Sequence, residues 1–368
     1  MNKCLMISQE WDINAAAVSW GLAKMGIESL RVSSLIDPRL GPIALKSTHD
    51  SEWSSEYYGK ENVFRSCWYR RPSVKINLKN TRECDRDYLN EEWNTLHRNV
   101  CSINDEILRC LWVNKPYSAS MAENKLYQLS VARKCGLSYP DTLVSNDPVA
   151  IKDFIKSHNN VIYKSFMPHL WHNLSSDINY ALYATLIDES MIGNDSSVLI
   201  CPGIYQKYID KKYDLRVTVI GNKVFSALIQ SKDKLAFIDW RRHSLGENIE
   251  ICDSSLPTSY KSKIMKLVRS MGLAFGCIDL AVDKNNDIFF LEINQSGHFL
   301  FIEQAAPHFP LLSAMCSMLN KGSIDYDLSN LKDISFCKYI ETDHYQRFIN
   351  DTEQLIKTDH LLNRQIVE

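Results

Sequence analysis

Several features that would narrow the function of this sequence quickly are missing from it. No CxxC pair occurs among its eleven cysteines, which stand singly at 4, 67, 84, 101, 110, 135, 201, 252, 277, 316 and 337. An odd number of dispersed thiols predicts reduced cysteines and a cytoplasmic compartment rather than a disulfide framework. No window approaches about 18 uninterrupted apolar residues, which argues against a membrane span. The opening MNKCLMISQEWD carries one lysine and no long apolar segment, so a secretory signal is not expected. Excess charge is missing too: 42 basic residues against 44 acidic ones leave a net charge of -2. That balance gives no reason to expect a nucleic-acid or membrane partner. No GxGxxG follows the first predicted strand, so the dinucleotide fingerprint is absent. Internal repeats and low-complexity segments are absent as well.

What remains is 368 residues, 45% apolar and 23% charged, enough for two or three well-buried globular units. Residues 2–8, 13–25 and 27–32 predict a β-α-β opening, with Gly26 closing the helix. A strand is expected over 62–70, ending in WYRRP, and a helix over 85–98. Pro116 precedes a new unit, with one helix over 119–136, a strand through Val144, a helix over 149–157 and a strand over 160–165. From Ile204 the pattern turns to strands: 204–209, 215–220 and 224–231, with Gly221-Asn222 as a turn. A helix at 260–271, strands at 275–282 and 288–294, and a helix at 310–320 follow. The tail beyond Ser335 is polar and weakly amphipathic. Its place is open between covering the 232–260 region and self-association.

The last two strands hold the most informative chemistry. DIFFLEINQSGHF, residues 287–299, puts an acid inside an apolar strand. With Asn285-Asn286 as a two-residue hairpin loop, Phe290 falls opposite Ala281, Glu292 opposite Asp279 and Asn294 opposite Cys277. Period-two geometry then puts Asp279, Glu292 and Asn294 on one face. Two carboxylates facing each other repel, and a hard divalent cation such as Mg²⁺ removes the repulsion. A solvated sheet face whose acids neutralise nearby lysines fits the same pattern. Lys125, Lys164, Arg216, Arg241 and Arg242 are candidate phosphate partners, although such residues are more often simple surface charges. Cys277 falls on the metal side in this register, where a small core thiol is the ordinary reading.

Taken in order, WYRRP at 68–72, ENKLYQLSVARKCGL at 123–137, YK at 163–164 and IYQKYIDKKYDLRVTVIGNKVFSA at 204–227 resemble an ATP-grasp ligase. So do IDWRR at 238–242, IDLAVD at 278–283 and FLEINQSGHFLFIE at 290–303. More narrowly, they resemble the ATP-grasp enzymes that macrocyclise graspetides, the microviridin type included. The sequence departs from that pattern at Lys207, where an acid is common, in the glycine-free run 165–169, and at Gly297-His298-Phe299.

The resemblance implies an α/β and α+β chain: an ATP-grasp fold with an N-terminal pre-ATP-grasp domain. Its expected parts are that domain at 1–115, a central lobe with substrate-facing helices at 116–205, a C-terminal lobe at 206–325 and a polar helical extension at 326–368. It further implies ATP and Mg²⁺ as cofactors. Lys125 and Lys164 would approach the phosphates, and the strand Gln206, Lys207, Tyr208, Ile209 would line the adenine. Asp214 would help place nucleotide or substrate, and Arg216 would face the γ-phosphate or the activated carboxylate. Asp279, Glu292 and Asn294 would hold the metal, with Asn294 also on the nucleotide side. Arg216, Arg241 and His298 form the implied catalytic set, His298 also being readable as a packed or hydrogen-bonded residue. Trp68, Arg70 and Arg71 are split between supporting a domain junction and touching substrate.

The implied reaction activates side-chain carboxylates of a ribosomally made precursor peptide, with leader and core, as acyl phosphates. Ser or Thr hydroxyls then give intramolecular esters, and Lys amines give amides. The implied assembly is a homodimer. A carboxylate-amine ligase acting on a small molecule or adding an amino acid is the second reading. A noncatalytic nucleotide-dependent peptide-binding protein is the third.

Overall fold

The computed structural model describes residues 3–55, 57–58, 63–78, 81–167, 170–173, 178–181, 183–193, 196–232, 238–240, 248–328 and 333–358. The chain opens with β1 (Lys3–Ile7), α1 (Ile13–Lys24) and β2 (Glu28–Val32), a parallel β-α-β unit. Asp12 starts α1 by accepting the Ala15 N–H, and the buried run Ala15 to Ala17 lets the helix lie close on its neighbours. An antiparallel pair, β3 (Leu45–Thr48) and β4 (Ser51–Ser55), precedes β5 (Ser66–Tyr69). Then α2 (Arg86–Ser102), α3 (Asn104–Ile107) and β6 (Leu111–Val113) complete a parallel sheet of order β2-β1-β5-β6. The strand expected over 62–70 is therefore shorter, and residue 62 lies outside the described residues.

The single helix expected over 119–136 is two, α4 (Pro116–Ala122) and α5 (Lys125–Lys134). The break has a local cause. Asn124 adopts an extended backbone and its side chain accepts the Tyr127 N–H, so this residue caps α5 instead of lying within a helix. Beyond α5 come β7 (Thr142–Ser145), α6 (Pro148–Ser157) and β8 (Val161–Lys164). The antiparallel pair β9 (Leu170–Asn173) and β10 (Ile178–Ala181) is followed by β11 (Thr185–Ile187), α7 (Ser196–Ile200) and β12 (Gly203–Lys207). Four of these strands make an antiparallel sheet of order β11-β8-β12-β7.

The third sheet is antiparallel with order β15-β14-β13-β16-β17. It comprises β13 (Lys211–Ile220), β14 (Lys223–Ser231), β15 (Ile249–Asp253), β16 (Phe275–Asp283) and β17 (Ile288–Asn294), with α8 (Thr258–Ser270) inserted before β16. The end of the chain is helical: α9 (Leu300–Ala305), α10 (Leu311–Lys321), α11 (Phe336–Ile340) and α12 (Asp343–Thr358). Among the described residues no helix is long and apolar enough to cross a membrane.

The two faces of the third sheet are buried differently. Leu215, Val217 and Val219 of β13 pack with Ile278, Leu280, Phe290 and Ile293 against α5 and α8. On the other side, Ile220, Ala227, Phe275 and Cys277 share one core with Met6, Trp68, α1 and α9 to α11. The N-terminal sheet and the last lobe are thus one hydrophobic body. The tail packs on α1, with Tyr339 buried and its ring 5.6 Å from that of Trp20 and 5.6 Å from that of Tyr345. Much of the 232–260 region and the end of the tail lie outside the described residues.

Glu303 of α9 joins these last helices. Its carboxylate is buried and accepts the backbone N–H of Leu312 (2.8 Å) and of Phe336 (3.1 Å), at the starts of α10 and α11. Burial raises its pKa from 4.5 to about 7, although both N–H groups oppose the shift. The folded protein therefore keeps a proton that the unfolded chain releases. Stability from this group is full below about pH 4.5 and is lost as pH rises to about 7, on the order of 3 kcal/mol in total. Replacing Glu303→Gln removes that slope. The melting temperature of the variant minus that of wild type should climb between pH 4.5 and 7; a difference independent of pH contradicts the assignment.

Candidate functional site

The site is built on the β16–β17 hairpin. Its loop has three residues, not two: Asp283 N–H donates to Asp287 O at 3.0 Å, and Asn286 sits at φ 67°. An asparagine tolerates that left-handed turn, and Asp283 Oδ1 secures it by accepting the N–H of Asn285 and of Asp287. The longer loop moves the register by one, so Phe290 pairs with Leu280 and not with Ala281. A bulge at Leu291 then moves it back. Asp279 pairs with Glu292, and Cys277 with Asn294, as expected.

The bulge also separates the side chains. Phe290 and Ile293 go into the apolar core with Leu280, while Glu292 and Asn294 lie with Asp279 on the opposite face. Asn294 Nδ2 donates to Asp279 Oδ2 and to Glu292 Oε1, both at 3.3 Å. Each carboxylate also has its own cation. Arg216, directly across from Asp279 on β13, places Nη1 2.8 Å from both Asp279 oxygens. Lys125, the first residue of α5, reaches Glu292 Oε2 at 2.7 Å. The side chains of Asp279 and Glu292 remain 14% and 18% exposed, so this face opens outward.

Arg216 is buried, and the desolvation that lowers its pKa is outweighed by Asp279, Cys277 and Glu292 together, so it stays firmly protonated. Its Nη2 donates to the His298 carbonyl at 2.9 Å, and its Nε is buried with no hydrogen-bond partner among the described residues. Asp214, on the same side of β13, is bound by Lys211 at 2.7 Å. Burial raises its pKa to about 6; Lys211 opposes this, while Asp279 and Asp239 add to it. His298 is pushed down to about 3, first by burial and then by Arg70 and Arg71. Its neutral ring accepts a hydrogen bond at Nδ1 from Asn14 Nδ2 at 2.7 Å. A ring so disfavoured as a cation is a weak proton acceptor at neutral pH.

The second sheet supplies the remaining candidates. Lys164 ends β8 and donates to Gln206 Oε1 at 2.8 Å, while Gln206 Nε2 reaches Thr142 Oγ1 at 2.9 Å. The strand expected over 204–209 stops at Lys207, leaving Tyr208 and Ile209 beyond it. The N–H groups of Lys207 and Tyr208 are engaged by the carbonyls of Asp141 and Asn160, both at 2.9 Å. Arg241, with Arg242 and His243, lies outside the described residues.

Among the described residues no group of three or more His, Cys, Asp and Glu side chains forms a metal site; the donors here are two carboxylates and one amide. That all-oxygen set, if the Asn294 amide turns its oxygen inward, suits a hard cation that completes its shell with phosphate and water.

Residues outside the expected ligand set hold the site in place, Gln128 and Asn114 among them with no sequence signal. Gln128, one turn beyond Lys125, donates to the Ile293 carbonyl at 2.9 Å and accepts the Ile293 N–H at 3.0 Å, pairing the outer edge of β17 beside Glu292. Asn114 accepts the N–H of Ala274 and of Phe275 and donates to the carbonyls of Phe275 and Gln295. Arg70 donates to Asp12 and to the Gly297 carbonyl, which makes it a junction residue. Gly297 has no room for a side chain: a Cβ there would lie 2.8 Å from Cys277 Cβ and 2.9 Å from Arg216 Nη2. A Gly297→Ala change should cost about 1–3 kcal/mol, as overpacking does. Urea unfolding measures it, and an unchanged midpoint contradicts the packing account.

No family model matches the chain, and no curated protein does. Solved structures do. The macrocyclase MdnC from Microcystis aeruginosa MRC, bound with the precursor peptide MdnA, is 22% identical with a TM-score of 0.70, over 87% of this chain and 99% of that one. A RiPP-associated ATP-grasp ligase from Chryseobacterium gregarium, in complex with ADP and a leader and core peptide, is 24% identical with a TM-score of 0.72, over 87% and 96%. The ATP-grasp ligase PsnB, complexed with a phosphomimetic variant of minimal precursor, Mg and ADP, is 18% identical with a TM-score of 0.65, over 88% and 98%. The three sheets and the acid-bearing hairpin described above therefore compose an ATP-grasp fold.

Proposed function

We propose that this chain is an ATP-dependent ligase of the graspetide macrocyclase type, working in the cytoplasm on a ribosomally made precursor peptide. The observation that carries the reading is the Asp279–Glu292 pair, two opposed carboxylates on an open sheet face, each answered by a cation from a different element. Bare acids so placed destabilise a sheet, and a phosphate-bound cation gives them a purpose. Asp279, Glu292 and Asn294 would hold Mg²⁺, which supplies neutralisation of charge on the transferred phosphoryl oxygens.

The rest is the work of the chain. Lys125 and Lys164 bind phosphate oxygens, and Arg216 orients the γ-phosphoryl group and stabilises its charge. A substrate side-chain carboxylate attacks that phosphorus and displaces ADP, giving an acyl phosphate. A Ser or Thr hydroxyl, or a Lys amine, of the same peptide then attacks the acyl carbon and expels phosphate. One water is lost from the peptide per ester or amide, its elements appearing in ADP and phosphate. Holding both side chains of one peptide near each other replaces an encounter in solution. The precursor-bound neighbours support a peptide substrate, and a homodimer accords with this reading.

The test is intact-mass analysis of a candidate precursor after incubation with the chain and Mg-ATP. Loss of one water mass per bond is expected. A product heavier by a small amine or amino acid identifies the small-molecule ligase, and nucleotide binding without any product identifies a binding protein. The double variant Asp279→Asn, Glu292→Gln should lower turnover about a hundredfold or more while keeping a cooperative unfolding transition. Normal Mg-dependent turnover in that variant removes both residues from the metal site.

A further inference from the structure

The segment Gly297 to Phe299, where β17 gives way to α9, is gripped from the N-terminal sheet. Arg70 follows β5 and is fully buried, its guanidinium 5.2 Å from the centre of the Trp68 ring. Its Nε donates to Asp12 Oδ2 at 2.6 Å and its Nη1 to the Gly297 carbonyl at 3.1 Å. Asp12 is itself fixed, since its other oxygen caps α1. The second residue of that helix, Asn14, donates to His298 Nδ1 at 2.7 Å, and its Oδ1 accepts the N–H of Phe299 and of Leu300, both at 3.4 Å. The same segment in turn holds Arg216. The His298 carbonyl accepts from Arg216 Nη2 at 2.9 Å, and Gly297 lies against that nitrogen closely enough to exclude a Cβ. Arg216 therefore has two supports, Asp279 on its own sheet and a peptide whose position is set 227 residues earlier in the chain.

We propose that Arg70 is a positioning residue for Arg216, acting through the Gly297–His298 backbone with Asn14 as the second anchor. This rests on the reading that Arg216 faces the γ-phosphoryl group. A guanidinium stabilises developing charge only as far as its orientation is fixed beforehand, so the peptide that sets Arg216 sets its contribution. Arginine is required at 70 because one edge of its planar fork meets Asp12 while another meets Gly297. A lysine ammonium keeps the charge opposite Asp12 and gives up the second contact.

The test needs no precursor. Dissociation constants of the full chain for ADP and for the non-hydrolysable analogue AMPPNP, both with Mg²⁺, are measured by calorimetry, and their ratio isolates the γ-phosphate. Wild type should prefer AMPPNP. Arg216→Lys should reduce the ratio about tenfold, the scale of a charge-assisted hydrogen bond. Arg70→Lys should reduce it about three- to tenfold with ADP affinity kept, and the double variant should fall no further than Arg216→Lys alone. A wild-type ratio in Arg70→Lys beside a reduced one in Arg216→Lys overturns the inference, as does additivity. So does a common loss of ADP and AMPPNP affinity with the ratio intact, which marks a merely structural role. No γ-phosphate preference in wild type overturns the underlying reading of Arg216, and this inference with it. If Arg70→Lys shows no cooperative unfolding, Asn14→Ala carries the same comparison: a reduced ratio supports the relay and a full one overturns it.

Discussion

Asp279 and Glu292 stand opposite each other on neighbouring strands, and like charges so placed repel. Much of the surrounding architecture answers that repulsion. Arg216 comes from the adjacent strand, Lys125 from the start of a helix in another part of the chain, and the Asn294 amide bridges the two acids. The balance is local, and both acids keep some contact with solvent, so the arrangement is open to exchange of partners. A ligand that brings both a cation and an array of anionic oxygens can take the acids and the basic groups at once. A ligand with only one of these leaves the other set competing with its internal partner.

The acid in the apolar strand has a geometric explanation. Simple alternation along β17 would send Phe290 and Glu292 to the same side, which suits neither. One extra residue at Leu291 changes the phase, so the ring enters the core and the carboxylate faces the cleft. The sequence reading reached the correct opposition of Asp279 and Glu292 through two omissions that cancel, a loop one residue too short and an unseen bulge. It assigned Phe290 wrongly because only one of those two offsets acts at that position. Hydrophobic periodicity marks strands and says little about where a ladder slips.

The same limit accounts for what else went unread. Asn124 lies in a stretch of good helical pattern, and only the competition of its side chain for the Tyr127 N–H divides α4 from α5. The β-α-β opening and the strands β13, β14, β16 and β17 are legible because their signals are local: glycines after helices, alternating residues, a Gly-Asn turn; the short edge strand β15 goes unread. Arg70, Asn14, Gln128 and Glu303 act on partners far away in sequence, so no spacing announces them. The WYRRP motif marks Arg70 without deciding between a junction and a substrate contact; its bonds to Asp12 and Gly297 make it part of a junction.

The sharing of one core by the first and last parts of the chain bears on how the protein is made. Ser66 donates to the carbonyl of Leu319 at 2.9 Å, and Met6 and Trp68 are buried in the same cluster as α10. A ribosome delivers that helix some 253 residues after Ser66. Until it emerges, the face of the opening sheet that bears Met6 and Trp68 is covered only in part, by α1. At the usual pace of synthesis such an interval lasts from about ten seconds to nearly a minute, long enough for chaperones or sticky neighbours to compete for it. Nascent chains stalled before α10 are thus the form of this protein most exposed to aggregation.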